Sequence, residues 1–262
     1  MPEERVYRTD AIVIKRSDLG EADRLLTLFT PRLGRLRAAA KGARKPTSRL
    51  GGHLELFSEI QVLIARGRNL DYVTQVQTLN PFMLLRDDLE VLGRACYLAE
   101  LVDQFGEESA ASEALYALLR DALTALPTSR QPDLLLRHFE LHLLALSGYQ
   151  PELGRCVVCR RELLPVTNTY SCAAGGMLCP QCAGNESIRR ELSVDLLKSL
   201  RYLQANPWPV ASQLRLKPAQ LWELEMVLGE TLRHTLERQL KSVEFLQLLR
   251  RTGAPGRPDA AP

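Results

Sequence analysis

The chain has 262 residues, 45% hydrophobic and 25% charged, with a formal net charge of +3. That length supports a large core and more than one domain. No apolar run approaches the ~20 residues a membrane helix needs, and no glycine-rich phosphate loop of the dinucleotide or P-loop type occurs. Charge is unevenly spread: residues 1–80 hold 14 Lys+Arg against 9 Asp+Glu, and the remainder holds 20 against 22.

The first 80 residues read as β structure. Ala11–Ile14 is a short apolar run of strand length, and Leu25–Phe29 is another, punctuated by Pro31 and Gly34. Leu36–Ala40 leads into Lys41-Gly42. From Leu54 to Ile64 the residues Leu54, Leu56, Ile60, Val62 and Ile64 alternate with Glu55, Glu59 and Gln61, which predicts one continuous strand with Phe57 on its polar face. Arg66-Gly67-Arg68-Asn69 reads as a hairpin turn into Leu70, Tyr72 and Val76. Five strands in this space predict a small closed barrel of the OB type.

Pro81 marks a change of period. Apolar residues recur at helical spacing from Leu84 to Phe105, then from Ser112 to Leu126, with Ser112 as cap. Pro132 starts a third helix that stops at Gly148. Helical pattern returns at Leu192–Gln204 and again from Pro218 through Leu240, with a break expected at Ser242 before Phe245–Leu249. The fold class is α+β: an N-terminal five-stranded OB-fold barrel followed by an α-helical domain with an inserted four-cysteine zinc module. The expected boundaries are 1–80 for the basic barrel, 81–152 and 185–250 for the helical domain, 153–184 for the zinc module and 251–262 for a disordered tail. No internal repeat is evident.

The module rests on Cys156-Val-Val-Cys159 and Cys179-Pro-Gln-Cys182, two knuckles 19 residues apart. Each knuckle is short enough to give both sulfurs to one tetrahedral ion, and the intervening stretch can return as a hairpin. Four thiolates leave no open coordination position, so one structural Zn²⁺ is expected, without hydrolytic chemistry. Two disulfides are the alternative. The charged start, Met-Pro-Glu-Glu-Arg, has no apolar leader, and a cytosolic setting favours metal over disulfide. Cys96 reads as a core thiol and Cys172 as a bystander between the knuckles. Arg155, Arg160 and Arg161 would offset the negative charge of the zinc–thiolate group.

From Arg24 to Leu54 there are eight basic residues and no acidic one. Lys41-Gly-Ala-Arg44-Lys45-Pro-Thr-Ser48-Arg49 offers cations, hydroxyls and loop N–H groups, the chemistry a phosphate backbone recruits. A solvated charged loop is the alternative. Aromatics are sparse before Phe82 (Tyr7, Phe29, Phe57, Tyr72), so backbone-led, sequence-tolerant binding is expected. His53-Leu-Glu55 mimics the His-x-Glu of zinc deaminases but lacks the matching Pro-Cys-x-x-Cys. His138 and His142, four residues apart, read as a helix-interface pair. Arg120, Arg130, Arg137, Arg233, Arg238, Lys241, Arg250 and Arg251 lie near apolar helical stripes, where a groove would suit an acidic, apolar-ended peptide.

The order of a basic OB-like start with KGARKPTSRL, a helical region, the run HFELHLLALSGYQPELGRCVVC and then GGMLCPQC closely resembles the RecO family of bacterial DNA repair and recombination mediators, over about residues 5–250. The resemblance implies a non-enzymatic protein that binds single- and double-stranded DNA and anneals complementary strands, including those coated with single-stranded DNA-binding protein (SSB). It also implies action with RecR to load RecA on gapped DNA, contact with the SSB C-terminal tail, and a cytoplasmic, nucleoid-associated location without membrane contact. The family's zinc ligands fall on Cys156, Cys159, Cys179 and Cys182. Its basic DNA surface falls on Lys15, Arg16, Arg35, Arg37, Lys41, Arg44, Lys45 and Arg49. A zinc-ribbon and OB scaffold that binds RNA or protein is the competing reading.

Overall fold

The computed structural model describes residues 5–108, 110–184 and 189–252. Strands β1 (Val6–Leu19), β2 (Asp23–Thr30), β3 (Gly34–Ala40), β4 (Glu59–Ala65) and β5 (Asp71–Asn80) close a barrel in the order β1-β2-β3-β5-β4. The β3–β5 pair is parallel and the other four are antiparallel, an OB-like arrangement. β1 is long enough to serve two partners, β4 along its first half and β2 along its second. Ala11 and Val13 enter the barrel core with Leu26, Leu28, Ala38, Ala40, Ile60, Val62 and Ile64. Ile12 and Ile14 are also buried, so this stretch is covered on both faces.

The expected strand from Leu54 to Ile64 forms only from Glu59. Gly51–His53 is a single 3-10 turn, and the chain kinks at Phe57, which has φ 69°. The kink is fastened to β1: the Phe57 N–H donates to the Val13 carbonyl (2.8 Å) and the Val13 N–H to the Ser58 carbonyl (3.1 Å). It turns Phe57 inward, so this ring is fully buried and not on a polar face. Alternation survives the kink because Leu54 is buried before it and Ile60 after it. Gly67 makes the β4–β5 turn; a Cβ there would stand 1.9 Å from the Leu70 carbonyl oxygen.

Helix α1 (Leu89–Phe105) begins later than the apolar stripe suggests, because Met83–Arg86 forms a separate 3-10 turn. Asp88 caps it, its carboxylate accepting the Glu90 and Val91 N–H groups at 2.8 and 2.9 Å. Helix α2 (Glu113–Ala125) has Ser112 at its cap position, but the hydroxyl makes no capping bond; the Ser112 N–H goes to the Pro31 carbonyl instead. The last helical stretch breaks at Glu237, φ 54°, and not at Ser242. Ser242 lies at the start of α7 (Lys241–Thr252), where Glu100 of α1 accepts the Lys241 and Ser242 N–H groups at 3.0 and 2.8 Å. By packing, the chain divides into 1–127 with 240–262, and 128–239. Helices α1, α2 and α7 thus group with the barrel. Residues 253–262, most of the expected tail, lie outside the described residues; 251 and 252 end α7.

The second unit is built around α3 (Pro132–Leu146), with α4 (Val194–Ala205), α5 (Trp208–Ala211) and α6 (Pro218–Leu236), and strands β6 (Asn168–Ser171), β7 (Gly176–Leu178) and β8 (Arg190–Leu192). Burial nearly all round marks α3 as central. Its Arg137 is enclosed, 2.5 Å from Glu140 and 3.7 Å from Glu225. His138 and His142 donate from Nε2 to the Asn206 and Leu203 carbonyls, 3.0 and 3.1 Å away, at the end of α4. They satisfy carbonyls that a helix end leaves open.

Burial, then the neighbouring His142, lowers the His138 pKa to about 4. The unfolded chain would take that proton near pH 6.5. Between about pH 6.5 and 4 the unfolded state therefore binds more protons, and stability falls as pH falls, by up to about 3 kcal/mol. Urea unfolding at pH 7 and pH 5 should show a larger loss for wild type than for His138→Gln, which keeps a donor without the proton equilibrium. Equal losses would exclude His138 as the titrating group.

Candidate metal centre and nucleic-acid interface

The two cysteine knuckles converge within the second unit. The Sγ atoms of Cys156, Cys159, Cys179 and Cys182 all lie within 4.8 Å of one another. Cys159 and Cys179 are 3.8 Å apart, much too far for a disulfide and close to the edge of a zinc–thiolate tetrahedron, about 3.8 Å for bonds of about 2.3 Å. All six cysteines are free of disulfides. Local geometry explains the convergence. In the first knuckle the Arg160 N–H returns to the Cys156 carbonyl, with Arg160 at φ 61°; in the second the Cys182 N–H returns to the Cys179 carbonyl. Reciprocal bonding of Glu152 and Val157 to Met177 and Gly175 joins the first knuckle to the β6–β7 hairpin. Gly176 permits that approach; a Cβ there would meet the Glu152 carbonyl oxygen at 2.4 Å. Leu178, Val157 and Leu163 pack around the sulfurs.

The donors fit a cation. Burial disfavours the Cys156 thiolate, but N–H groups of Cys159, Cys179 and Val158 aimed at its sulfur bring the pKa down to about 6. Contact with the Cys179 sulfur, then burial, then the other two sulfurs push Cys182 up to about 12, so at this spacing all four sulfurs become thiolates only with a bound cation. Cys172 lies outside the group, in the turn between β6 and β7. Among the described residues this is the one cluster of His, Cys, Asp or Glu able to hold a metal ion. His53 is engaged elsewhere, with Thr78 at 2.7 Å.

On the barrel, strand register sorts the basic residues. Lys15 pairs with Thr27 and Thr27 with Arg37, so Lys15 and Arg37 share one outer row, their backbones roughly 10 Å apart. The neighbouring row on one side is Ile12, Phe29 and Arg35. Helices cover that row: the Tyr116 ring stacks on Phe29 with centroids 6.5 Å apart. Arg35 donates to the Asp103 carbonyl at 2.6 Å and pairs with Asp103 and Glu108 at 3.4 and 3.3 Å. On the other side lies the row Ser17, Leu25, Ala39 and Tyr72, where Lys41 Nζ stands 4.5 Å above the Tyr72 ring.

The loop after β3 is stitched down and is not a floppy tether. Asp23 accepts the Gly42 N–H at 2.8 Å, Ala43 is buried, and Arg44 pairs with Asp18 at 3.2 Å and donates to the Gly20 carbonyl. Arg16 pairs with Glu55 at 2.5 Å, and Arg24 shares that carboxylate. Of the eight expected cations, Lys15, Arg37, Lys45 and Arg49 are exposed and form no ion pair among the described residues; Arg16, Arg35 and Arg44 are paired, and Lys41 covers an aromatic ring. Arg68, read from sequence only as part of a turn, belongs with the open group. It lines a cleft of about 350 Å³ with Arg35, Arg37, Asn69 and Leu70, together with two carboxylates that are both engaged, Glu108 by Arg35 and Asp71 by the Tyr7 hydroxyl. Its signal was a cation in the β4–β5 loop, one of the two loops that flank the binding face of OB barrels. Of the helical cations, Arg137 is buried in its ion pairs and Arg120 is paired with Asp121.

Residues 3–82 match the family model described as Recombination protein O N terminal, and residues 86–244 match Recombination protein O C terminal. The chain is 48% identical over 255 residues to the DNA repair protein RecO of Roseiflexus sp. (strain RS-1), covering 96% of this chain and 90% of that protein. It is 41% identical over 244 residues to the DNA repair protein RecO of Dehalococcoides mccartyi (strain BAV1), covering 93% of this chain and 96% of that protein. With the protein of Desulforamulus reducens the identity is 34% over 245 residues. The chain belongs to the recombination protein O family, a family of DNA repair proteins.

Proposed function

We propose, from that membership, that the chain is a recombination mediator which binds single- and double-stranded DNA on the barrel and anneals complementary strands, including SSB-coated ones. The carrying observation is a set of open cations: Lys15 and Arg37 in one outer row of the barrel and Lys45 and Arg49 in the loop after β3, all exposed and without ion pairs among the described residues. Such cations displace counterions from two strands at once and reduce their mutual repulsion. Four to six phosphates contacted on a single strand give a slope of log affinity on log salt of roughly −3 to −4. RecR and the SSB C-terminal tail are the proposed partners, with RecA loading on gapped DNA as the outcome. Exposed Arg233 and Arg238, at the end of α6, suit an acidic tail better than enclosed Arg137. The reading assigns no catalytic residue and requires no nucleotide.

The four cysteines are proposed to hold one structural Zn²⁺. When bound, it would cross-link the two knuckles and supply no open site for substrate. Cys156 and Cys179 would hold it from the buried side and Cys159 and Cys182 from the half-exposed side.

Annealing of complementary SSB-coated oligonucleotides, without ATP and across a salt series, tests the proposal. Wild type should anneal, with activity that falls steeply as salt rises. Binding without annealing of coated strands would overturn the mediator reading. A strong preference for RNA over DNA of equal length would favour the RNA or protein scaffold.

A further inference from the structure

Four aromatic rings precede Phe82, and the fold treats them unequally. Phe29 and Phe57 are fully buried. Tyr7 packs partly against the barrel core, and its hydroxyl donates to Asp71 at 3.0 Å. Tyr72 is half-buried but does not belong to that core cluster. Its strand partners are Ala39 on β3 and Ala65 on β4. Two alanines leave the ring without bulky cross-strand neighbours, which would stand only about 5 Å away. Below one edge lies Gly67, where even a Cβ would approach the Tyr72 ring to 3.0 Å. The turn backbone thus lies against that edge of the ring. Over its face stands the ammonium of the exposed Lys41, 4.5 Å from the centroid.

We infer that Tyr72 is a base-stacking platform for single-stranded nucleic acid, with Lys41 as a cation that covers the ring in the free protein and moves to a phosphate when a base arrives. This rests on the proposed DNA surface of the barrel and deepens it. The exchange is chemically balanced. A cation over an aromatic face at an exposed site is held only weakly, by about 0.5–1 kcal/mol. A stacked base contributes ~1–3 kcal/mol and is sequence-tolerant, since every base has a π-face. The displaced ammonium gains a phosphate partner from the same strand. Arg37 and Arg68, in the adjoining cleft, are placed to take the neighbouring phosphates. In duplex DNA the bases are paired and stacked inside, so the platform acts on single strands alone.

The test uses the full chain with two labelled probes of about 20 nucleotides, an oligothymidylate and an abasic strand of equal length and charge. Wild type should bind the base-bearing strand at least about 5-fold more tightly. Tyr72→Leu should bring that ratio close to one with the salt slope unchanged, while Tyr72→Phe keeps it. Lys41→Ala leaves the ring in place, so it should keep the preference while the slope falls by about 1. Equal binding of both probes by wild type, with a steep salt slope, would overturn the platform and leave the basic surface standing. A preference retained by folded Tyr72→Leu would also overturn it. If Lys15→Ala/Arg37→Ala/Lys45→Ala/Arg49→Ala binds both probes as tightly as wild type, the DNA surface lies elsewhere and the platform fails with it.

Discussion

Cys156→Ala is expected to abolish stable metal binding and to lower the thermal midpoint by about 10 °C, while DNA affinity measured well below that midpoint stays within about 3-fold of wild type. The sulfur of Cys156 is fully buried and is the acceptor of several backbone N–H groups. Removing it strands those donors and leaves three sulfurs around a site that needs four. Free energy of metal binding becomes free energy of folding wherever the unfolded chain lacks the site, so its loss unfolds the knuckle module first. At about 2–4 °C per kcal/mol for a unit of this size class, a loss of about 4 kcal/mol gives the stated shift. The barrel contains none of the six cysteines, which is why DNA affinity should survive. Metal content by colorimetric release, with melting followed by circular dichroism, checks the result, and Cys172→Ala is the control that should retain both metal and midpoint. A Cys156→Ala protein that melts with wild type would show that the four sulfurs serve something other than folding.

The four-cysteine cluster was legible in the sequence because both knuckles are local: three-residue steps fix two sulfurs each, and only the hairpin between them needed tertiary structure. Strand identity in the barrel was legible for the same reason. The kink at Phe57 was not, since the alternation of Leu54, Leu56 and Ile60 hides a bend held by Val13, far away in sequence. The end of the long final helix was misplaced by five residues: Glu237 takes the left-handed conformation, while Ser242 is claimed as a start by a carboxylate 142 residues away. Among the basic residues, composition could not separate Arg35 from Arg37. They are two positions apart on one strand and on the same face, yet α1 covers one row and not the next. Charge runs report which side chains are cationic; register and coverage decide which are free.

That separation yields the second large effect. Replacing Lys15, Arg37, Lys45 and Arg49 together with alanine should flatten the salt slope for single-stranded DNA by about 3 and weaken binding roughly 100-fold near physiological salt, at about 0.7 counterions per lost contact. The fold should be little changed, because these four side chains are exposed and make no ion pair among the described residues. Arg35→Ala should do the opposite. It deletes the bond to the Asp103 carbonyl and leaves Asp103, whose side chain is 18% exposed, without its partner. The expected cost is about 1–3 kcal/mol in stability, with the slope near that of wild type. Fluorescence anisotropy across a salt series, beside thermal melts of both variants, measures the two effects independently. If Arg35→Ala flattens the slope as far as the quadruple change, the helices do not shield that row in solution and the DNA path crosses the whole outer face. If the quadruple variant keeps the wild-type slope and affinity, the DNA surface does not run through these four cations and lies elsewhere on the protein.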